Sequence, residues 1–179
     1  MSEVYRNGQF EADAWKTLSA DDPLPEHDAV FVPLERWQND RGTLKNRMAP
    51  LGLIIRAGEN VEAVIDELSL FKAVAVEFPK FADGRSYSTA RILHEQLDFD
   101  GEIRAIGDVL LDQIPFMRRC GVTAFEITHE PTRRALEDGH NPEVVLHTQP
   151  VGLAGEVPVG TRPWLRRGVG KSTLKQFMR

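Results

Sequence analysis

Short apolar runs alternate with helix-like stretches along residues 29–141, and this alternation is typical of one fold class. The apolar runs are typical of strands: "AVFVPL" (29–34), "LGLIIRAG" (51–58), "KAVAVEF" (72–78), "GEIRAIG" (101–107) and "TAFEI" (123–127). Between the second and third runs, Val61, Val64, Ile65 and Leu68 recur at three- and four-residue spacing, which indicates an amphipathic helix. Strands that alternate with helices predict consecutive βαβ units and a parallel sheet.

The sequence therefore predicts an α/β fold with a parallel sheet of about four to five strands. A sequential strand order, like part of a β/α barrel, is preferred, and a flavodoxin-like doubly wound sheet is the alternative. Residues 1–28 are expected to be an irregular lead-in and residues 29–150 the α/β domain. Within that domain, "EVVLHTQPV" is expected to add a final edge strand.

Residues 151–179 form a basic tail behind an acidic body. From Thr161 to Arg179 there are six cations and no acid, which leaves 16 basic and 27 acidic residues in the rest of the chain. Such a tail binds a partner, folds back on its own domain or stays disordered, and the sequence leaves these interpretations open. Nucleic acid is not the expected partner, because the tail has few aromatic residues and the acidic body repels phosphate backbones.

The composition is that of an ordinary globular protein, with 41% hydrophobic and 27% charged residues. No apolar run approaches the ~18 residues of a membrane helix, and no signal-peptide pattern is visible. We therefore expect a cytoplasmic protein without a membrane partner. Cys120 is the only cysteine, so it forms no internal disulfide and cannot by itself hold an iron–sulfur cluster.

Three charged residues, Glu77, Arg104 and Glu126, interrupt strands that are otherwise apolar. Buried charges are normally paired, and in a sequential sheet the strand of Arg104 lies between those of the two glutamates. One guanidinium, with five N–H donors, could then bridge both carboxylates. The alternatives are charges that point outward near strand ends, a purely structural ion pair, or a functional group.

The loops after the predicted strands carry a second set of charges, most of them in "FPKFADGRSYSTAR" (78–91). Ligands of parallel α/β folds bind at the carboxyl ends of the strands, and a helix that opens there attracts anions. The candidate anion ligands are Lys80, Arg85, Ser86, Ser88 and Arg56. The supporting charge network contains Glu77, Arg104, Glu126, Asp83, Asp108 and Arg91. A solvated turn is the alternative interpretation of this stretch.

No motif in the sequence indicates a nucleotide, dinucleotide or metal site. "GVGKST" (168–173) lacks the first glycine of a P-loop, because Leu165 stands in its place, and no GxGxxG fingerprint is present. The five histidines show no metal-ligand spacing. We therefore expect no metal and no bound cofactor, and the sequence identifies no catalytic residue.

Pro115 leaves two arrangements open for its helix. Either the helix starts at Asp108 and is kinked by the proline, or a tight turn precedes a new start near Asp112. In the second arrangement the proline lies in the first helical turn, where backbone amides have no partner in the helix.

Several long motifs resemble an uncharacterised bacterial family: "VPLERW", "LGLIIRAG", "FPKFADGRSYSTARIL", "GEIRAIGDVLLDQ" and "MRRCGVTAFEI". Members of this family are described as oxidoreductases involved in sulfite reduction, and their genes commonly lie beside the gene of the sulfite reductase haemoprotein. The resemblance covers roughly residues 10–150 and excludes the basic tail. Pro115 departs from the family's pattern.

The resemblance implies a role in assimilatory sulfate and sulfite reduction, and hence in cysteine supply, without implying a particular chemistry. Two hypotheses follow from it. The first is an accessory protein that docks on sulfite reductase or on its electron donor. The second is an enzyme or binding protein for a sulfur oxyanion or another small anion, which would use the cations of the βα loops.

Overall fold

The computed structural model of the chain describes residues 2–140, 142, 146–148 and 156–168. Contacts divide the chain into two compact units, Met1–Pro142 and Glu143–Arg179. Each unit has a sheet of its own, with eight strands in the first and three in the second.

Six parallel strands form the main part of the first sheet. They are β3 (Trp15–Thr17), β4 (Ala29–Pro33), β5 (Leu51–Ile55), β6 (Ala73–Phe78), β7 (Glu102–Gly107) and β8 (Ala124–Phe125). Each pairs with the next strand along the chain, so the preferred sequential order is confirmed and the doubly wound alternative is wrong. The sheet has more strands than the four to five expected, because the amino-terminal segment contributes three of them.

That amino-terminal segment was expected to be irregular, and this expectation is wrong for residues 3–17. The strands β1 (Glu3–Arg6) and β2 (Gln9–Ala12) form an antiparallel hairpin, and β1 also pairs antiparallel with β8. Asn7 and Gly8 form the turn with φ angles of 53° and 87°. An Asn-Gly pair between two short strands is a strong hairpin signal, because both residues tolerate positive φ.

The sheet curls because residues 9–17 contain the strands at both of its edges. β2 pairs with β1 at one edge and β3 pairs with β4 at the other, and only Asp13 and Ala14 separate β2 from β3. Three Cα–Cα steps span at most about 11 Å, whereas eight flat strands would hold the outer two about 33 Å apart. The two edges must therefore meet at Asp13.

The helices follow the strands as the sequence predicts. They are α1 (Leu34–Lys45), a 3₁₀-helix (Val61–Leu70), α2 (Arg85–Arg91), which continues as a π-helix (Ile92–Gln96), α3 (Ile114–Arg119) and α4 (Glu130–Glu137). α3 begins at Ile114 with Pro115 in its first turn. The second arrangement considered for Pro115 is therefore right, with the start slightly later than expected. None of the helices in the described ranges has the length and apolar character of a membrane span.

The two faces of the sheet have different coverings. On one face, alternate strand residues such as Val30, Val74 and Phe125 form one large core with apolar side chains of the helices, including Trp37 and Leu93. The opposite face carries a smaller cluster of strand residues, namely Phe31, Ile54, Ala73 and Ala75, with Trp15 and Ile106 against it. The helices therefore cover the outer face, and the second face lies inside the curl.

Arg104 lies on the inner face but does not bridge Glu77 and Glu126, so that prediction is wrong. Its Nη1 and Nη2 donate to the Asp13 carboxylate at 2.7 and 3.2 Å, and its Nε donates to Glu102 at 2.7 Å. The register explains the difference. Arg104 pairs with Ala75 and Ala124, so the two glutamates lie one pleat further towards the carboxyl ends of the strands.

The second unit contains β9 (Leu146–Thr148), β10 (Glu156–Val159) and β11 (Arg162–Gly168) in an antiparallel sheet of order β10-β11-β9. "EVVLHTQPV" was expected to add an edge strand to the main sheet, but its β9 pairs with β11 instead. Within the basic tail, residues 156–159 and 162–168 are strands. "GVGKST" lies outside the described residues beyond Gly168.

Replacing Arg104 by Ala should strongly destabilise the protein. The side chains of Arg104 and Asp13 are only 1% and 6% exposed, so the variant leaves a buried carboxylate without its partner. The expected loss in the free energy of unfolding is about 3–5 kcal/mol, measured by urea denaturation. Lys16→Ala, which removes the exposed Lys16–Asp28 pair, is the control and should cost at most about 1 kcal/mol. Equal losses in both variants would contradict this account.

Candidate functional site

The predicted anion residues lie at the carboxyl edge of the parallel strands, in the loops after β5 and β6 and in the first turn of α2. The structure brings the loop after β5 into contact with the start of α2. A Cβ atom at Gly58, in the loop after β5, would lie 2.7 Å from Nη1 of Arg85, the first residue of α2. Gly58 also has a φ of +93°, which side chains rarely adopt. The Arg85 guanidinium therefore lies over Gly58, close in the chain to exposed Arg56.

Arg85 already forms an ion pair with Asp83, two residues before it in the chain. Its Nε and Nη2 donate to the two oxygens of Asp83 at 2.9 and 2.6 Å, and its backbone N–H donates to the same carboxylate at 3.2 Å. These hydrogen bonds lower the pKa of Asp83 to about 2 and raise the pKa of Arg85. An incoming anion must therefore compete with Asp83 for two of the three guanidinium nitrogens.

The two serines at the start of α2 differ in their surroundings. Ser86 is fully buried and its hydroxyl donates to the backbone carbonyl of Glu77, which ties α2 to the end of β6. This hydroxyl is turned away from solvent, in contrast to the role expected for it. Ser88 is exposed on α2, and Lys80 is exposed in the preceding loop, where its carbonyl accepts from the Asp83 N–H at 3.0 Å.

The expected charge network also includes Glu77, Glu126, Asp108 and Arg91. Glu77 and Glu126 are half-buried on the inner face, and Asp108 is half-buried just after β7. Arg91 pairs with Glu95, four residues further along the chain, at 2.7 Å. Within the described residues, no group of three or more His, Cys, Asp or Glu side chains is placed to hold a metal ion.

Sequence reasoning missed an aromatic patch beside these loops, formed by Phe81, Tyr87 and Phe116. The Phe116 ring packs on Tyr87 with centroids 4.7 Å apart, and Tyr87 packs on buried Phe78 at 5.0 Å. Gln113 links the backbones of the two exposed phenylalanines. Its side chain donates to the Phe81 backbone carbonyl at 3.5 Å, and its own backbone carbonyl accepts from the Phe116 N–H. Burial raises the pKa of Tyr87 to about 12.

Two phenylalanines of this patch face solvent, with Phe81 59% and Phe116 53% exposed. Single exposed apolar residues are common on protein surfaces. Here Gln113 links the backbones of the two residues, and the Phe116 ring stands on a column of aromatic rings that reaches the core. The available signal in the sequence was a phenylalanine inside a polar loop, "KFADG", which hydropathy alone does not explain.

The Asp83–Arg85 pair predicts an observable titration. The Asp83 carboxylate should titrate near pH 2 in the folded protein and return towards its ordinary value of 3.8 in Arg85→Gln. Because the folded-state pKa is the lower one, the pair stabilises the folded protein above about pH 4, and this contribution is lost as pH falls towards 2. Carbon-13 NMR of the carboxylate measures both midpoints. A wild-type midpoint that Arg85→Gln leaves unchanged would contradict the assigned pairing.

Comparison with protein families identifies one family for this chain. The family described as "Bacterial protein of unknown function (DUF934)" matches residues 52–144, just over half of the chain. The matched segment runs from β5 to beyond α4, so it includes the loops and the aromatic patch described above. A search of curated proteins gives no match. The chain therefore belongs to the DUF934 family of bacterial proteins of unknown function.

Proposed function

We propose that this protein is an accessory protein of assimilatory sulfate and sulfite reduction, which docks on sulfite reductase or on its electron donor. The pathway comes from the resemblance of its motifs to a family whose genes lie beside the sulfite reductase haemoprotein gene. The docking role is supported by one observation above all, the exposed aromatic patch.

The aromatic patch has the properties of an interface centre. Aromatic residues are enriched where protein partners bury surface, and a few well-packed ones supply most of the binding energy. Phe116 is fixed by Tyr87 beneath it, and the backbone of Phe81 is held by buried Gln113. The Phe116 ring therefore loses less conformational entropy than an unsupported ring would when a partner covers it.

Burial of the two phenylalanines provides a large favourable term for association. Fully burying an exposed phenylalanine side chain is worth about 1.5–3 kcal/mol, and about half of this remains to be gained by rings that are half exposed. Truncating one ring should therefore weaken binding by at least about threefold. The same truncation should change folding little, since each ring is more than half exposed.

The docking proposal is tested with Phe81→Ser and Phe116→Ser. Each variant should bind the purified sulfite reductase haemoprotein, or its separately purified electron donor, at least about threefold more weakly in biolayer interferometry. Met48→Ser removes a 99% exposed side chain outside the aromatic patch and is the matched control. Thermal melts check that each variant is folded. If wild type binds neither component, or if both serine variants bind as wild type does, the proposal is wrong.

A second function, binding of a sulfur oxyanion or another small anion, is favoured by the contact of Arg85 with the Gly58 loop. The Arg85 Nη1 is directed at Gly58 and does not bond Asp83, while exposed Arg56 and Lys80 lie in the same two loops. In this hypothesis Asp83 is a competitor of the anion. Its removal should therefore release the guanidinium for a ligand.

Opposite effects of two variants test the anion hypothesis. Calorimetric titration with sulfite and with sulfate should show tighter binding to Asp83→Asn and roughly tenfold weaker binding to Arg85→Ala, because a charge-assisted hydrogen bond is worth about 1.5–3 kcal/mol. Arg134→Ala, which removes an exposed arginine paired with Glu130, is the control and should bind as wild type does. Unchanged affinity in Arg85→Ala would exclude this site.

A further inference from the structure

An open cleft lies beside the carboxyl ends of β7 and β8, outside the anion loops and the aromatic patch. It has a volume of about 390 Å³, and its apolar walls are Leu110, Leu111, Pro131 and Pro142. Ligand sites are usually mostly apolar concavities of at least about 300 Å³ with a small number of placed polar groups. Two ionisable side chains, those of Asp112 and His129, also border this cleft.

The orientation of His129 is fixed by hydrogen bonds from Thr132. The Thr132 backbone N–H donates to Nδ1 of His129 at 3.3 Å, and the Thr132 hydroxyl lies 2.9 Å from the same nitrogen. That hydroxyl is buried and accepts from the Leu111 N–H at 3.2 Å, which leaves its own proton for His129.

These contacts also fix the tautomer of the neutral imidazole. Because Nδ1 accepts a hydrogen bond from a backbone N–H, it carries no proton, and the ring proton is on Nε2. His129 is the N-cap of α4, so the helix start holds its backbone as well as its side chain. His129 therefore presents a hydrogen-bond donor, and exposed Asp112 presents an acceptor in the same cleft.

We propose that this cleft binds a small uncharged ligand that has an apolar body and a carboxamide or lactam group. The carbonyl oxygen of such a group accepts from His129 Nε2–H, and its N–H donates to the Asp112 carboxylate. A carboxylate ligand would be repelled by Asp112, and a purely apolar ligand would leave both polar groups unpaired. This proposal does not depend on the partner proposed above.

Benzamide is a suitable probe, with benzoate as its charged counterpart. In amide NMR titrations of the full chain, benzamide should shift the signals of Leu110, Leu111 and Thr132, and benzoate should bind at least about threefold more weakly. His129→Asn keeps an N-capping side chain but removes the imidazole, so benzamide binding should weaken about three- to tenfold. His140→Asn changes another exposed histidine, outside the cleft, and should bind as wild type does.

A second variant decides the outcome if His129→Asn folds poorly. Asp112→Asn changes an exposed residue and removes the repulsion, so it should bring the affinity for benzoate close to that for benzamide. Three results would each overturn the proposal: benzamide shifts outside the cleft, equal benzoate and benzamide binding by wild type, or an unchanged benzoate-to-benzamide ratio in Asp112→Asn.

Discussion

The ion pair between Asp13 and Arg104 joins the point where the sheet closes to the middle of the sheet. Asp13 lies between the two strands that form the edges, and Arg104 lies on β7, a central strand. Buried ion pairs often contribute little net stability, because both charges must be removed from water. Their strict geometry instead favours one arrangement over its alternatives. Here that arrangement is a curled sheet whose edges meet opposite β7.

The inner face is built around this pair. The Arg104 guanidinium lies 4.9 Å from the centroid of Phe31, and Phe31 packs on Trp15 with centroids 4.6 Å apart. Gly52 makes room for these rings, since a Cβ there would lie 2.4 Å from Phe31. Buried alanines at positions 73, 75 and 124 leave space on the same face, because their side chains are small. One long charged side chain is thus accommodated because its neighbours are small or flat.

The sequence predicts the parallel strands well because each one is a short apolar run between helices. It also indicates that Arg104 needs carboxylate partners, but it assigns the wrong ones. The true partners of Arg104 are Glu102, two residues away on the same strand, and Asp13, which lies 91 residues away, just after the hairpin that turns at Asn7 and Gly8. At the carboxyl edge, sequence spacing locates the cations correctly. Spacing does not reveal that Asp83 forms an ion pair with Arg85 or that Ser86 faces the core, because both depend on side-chain direction.

Both surfaces that sequence reasoning missed depend on one turn, residues 108–113. Gly107 starts it with a φ of +91°, where a Cβ would lie 2.5 Å from the Phe78 carbonyl oxygen. From this turn, Gln113 reaches towards Phe81 in the aromatic patch, and the Leu111 N–H donates to Thr132 beneath His129. The aromatic patch and the cleft are therefore supported by the same backbone. A change in the conformation of this turn would therefore affect both the hydrogen bond to Phe81 and the position of Thr132 beneath His129.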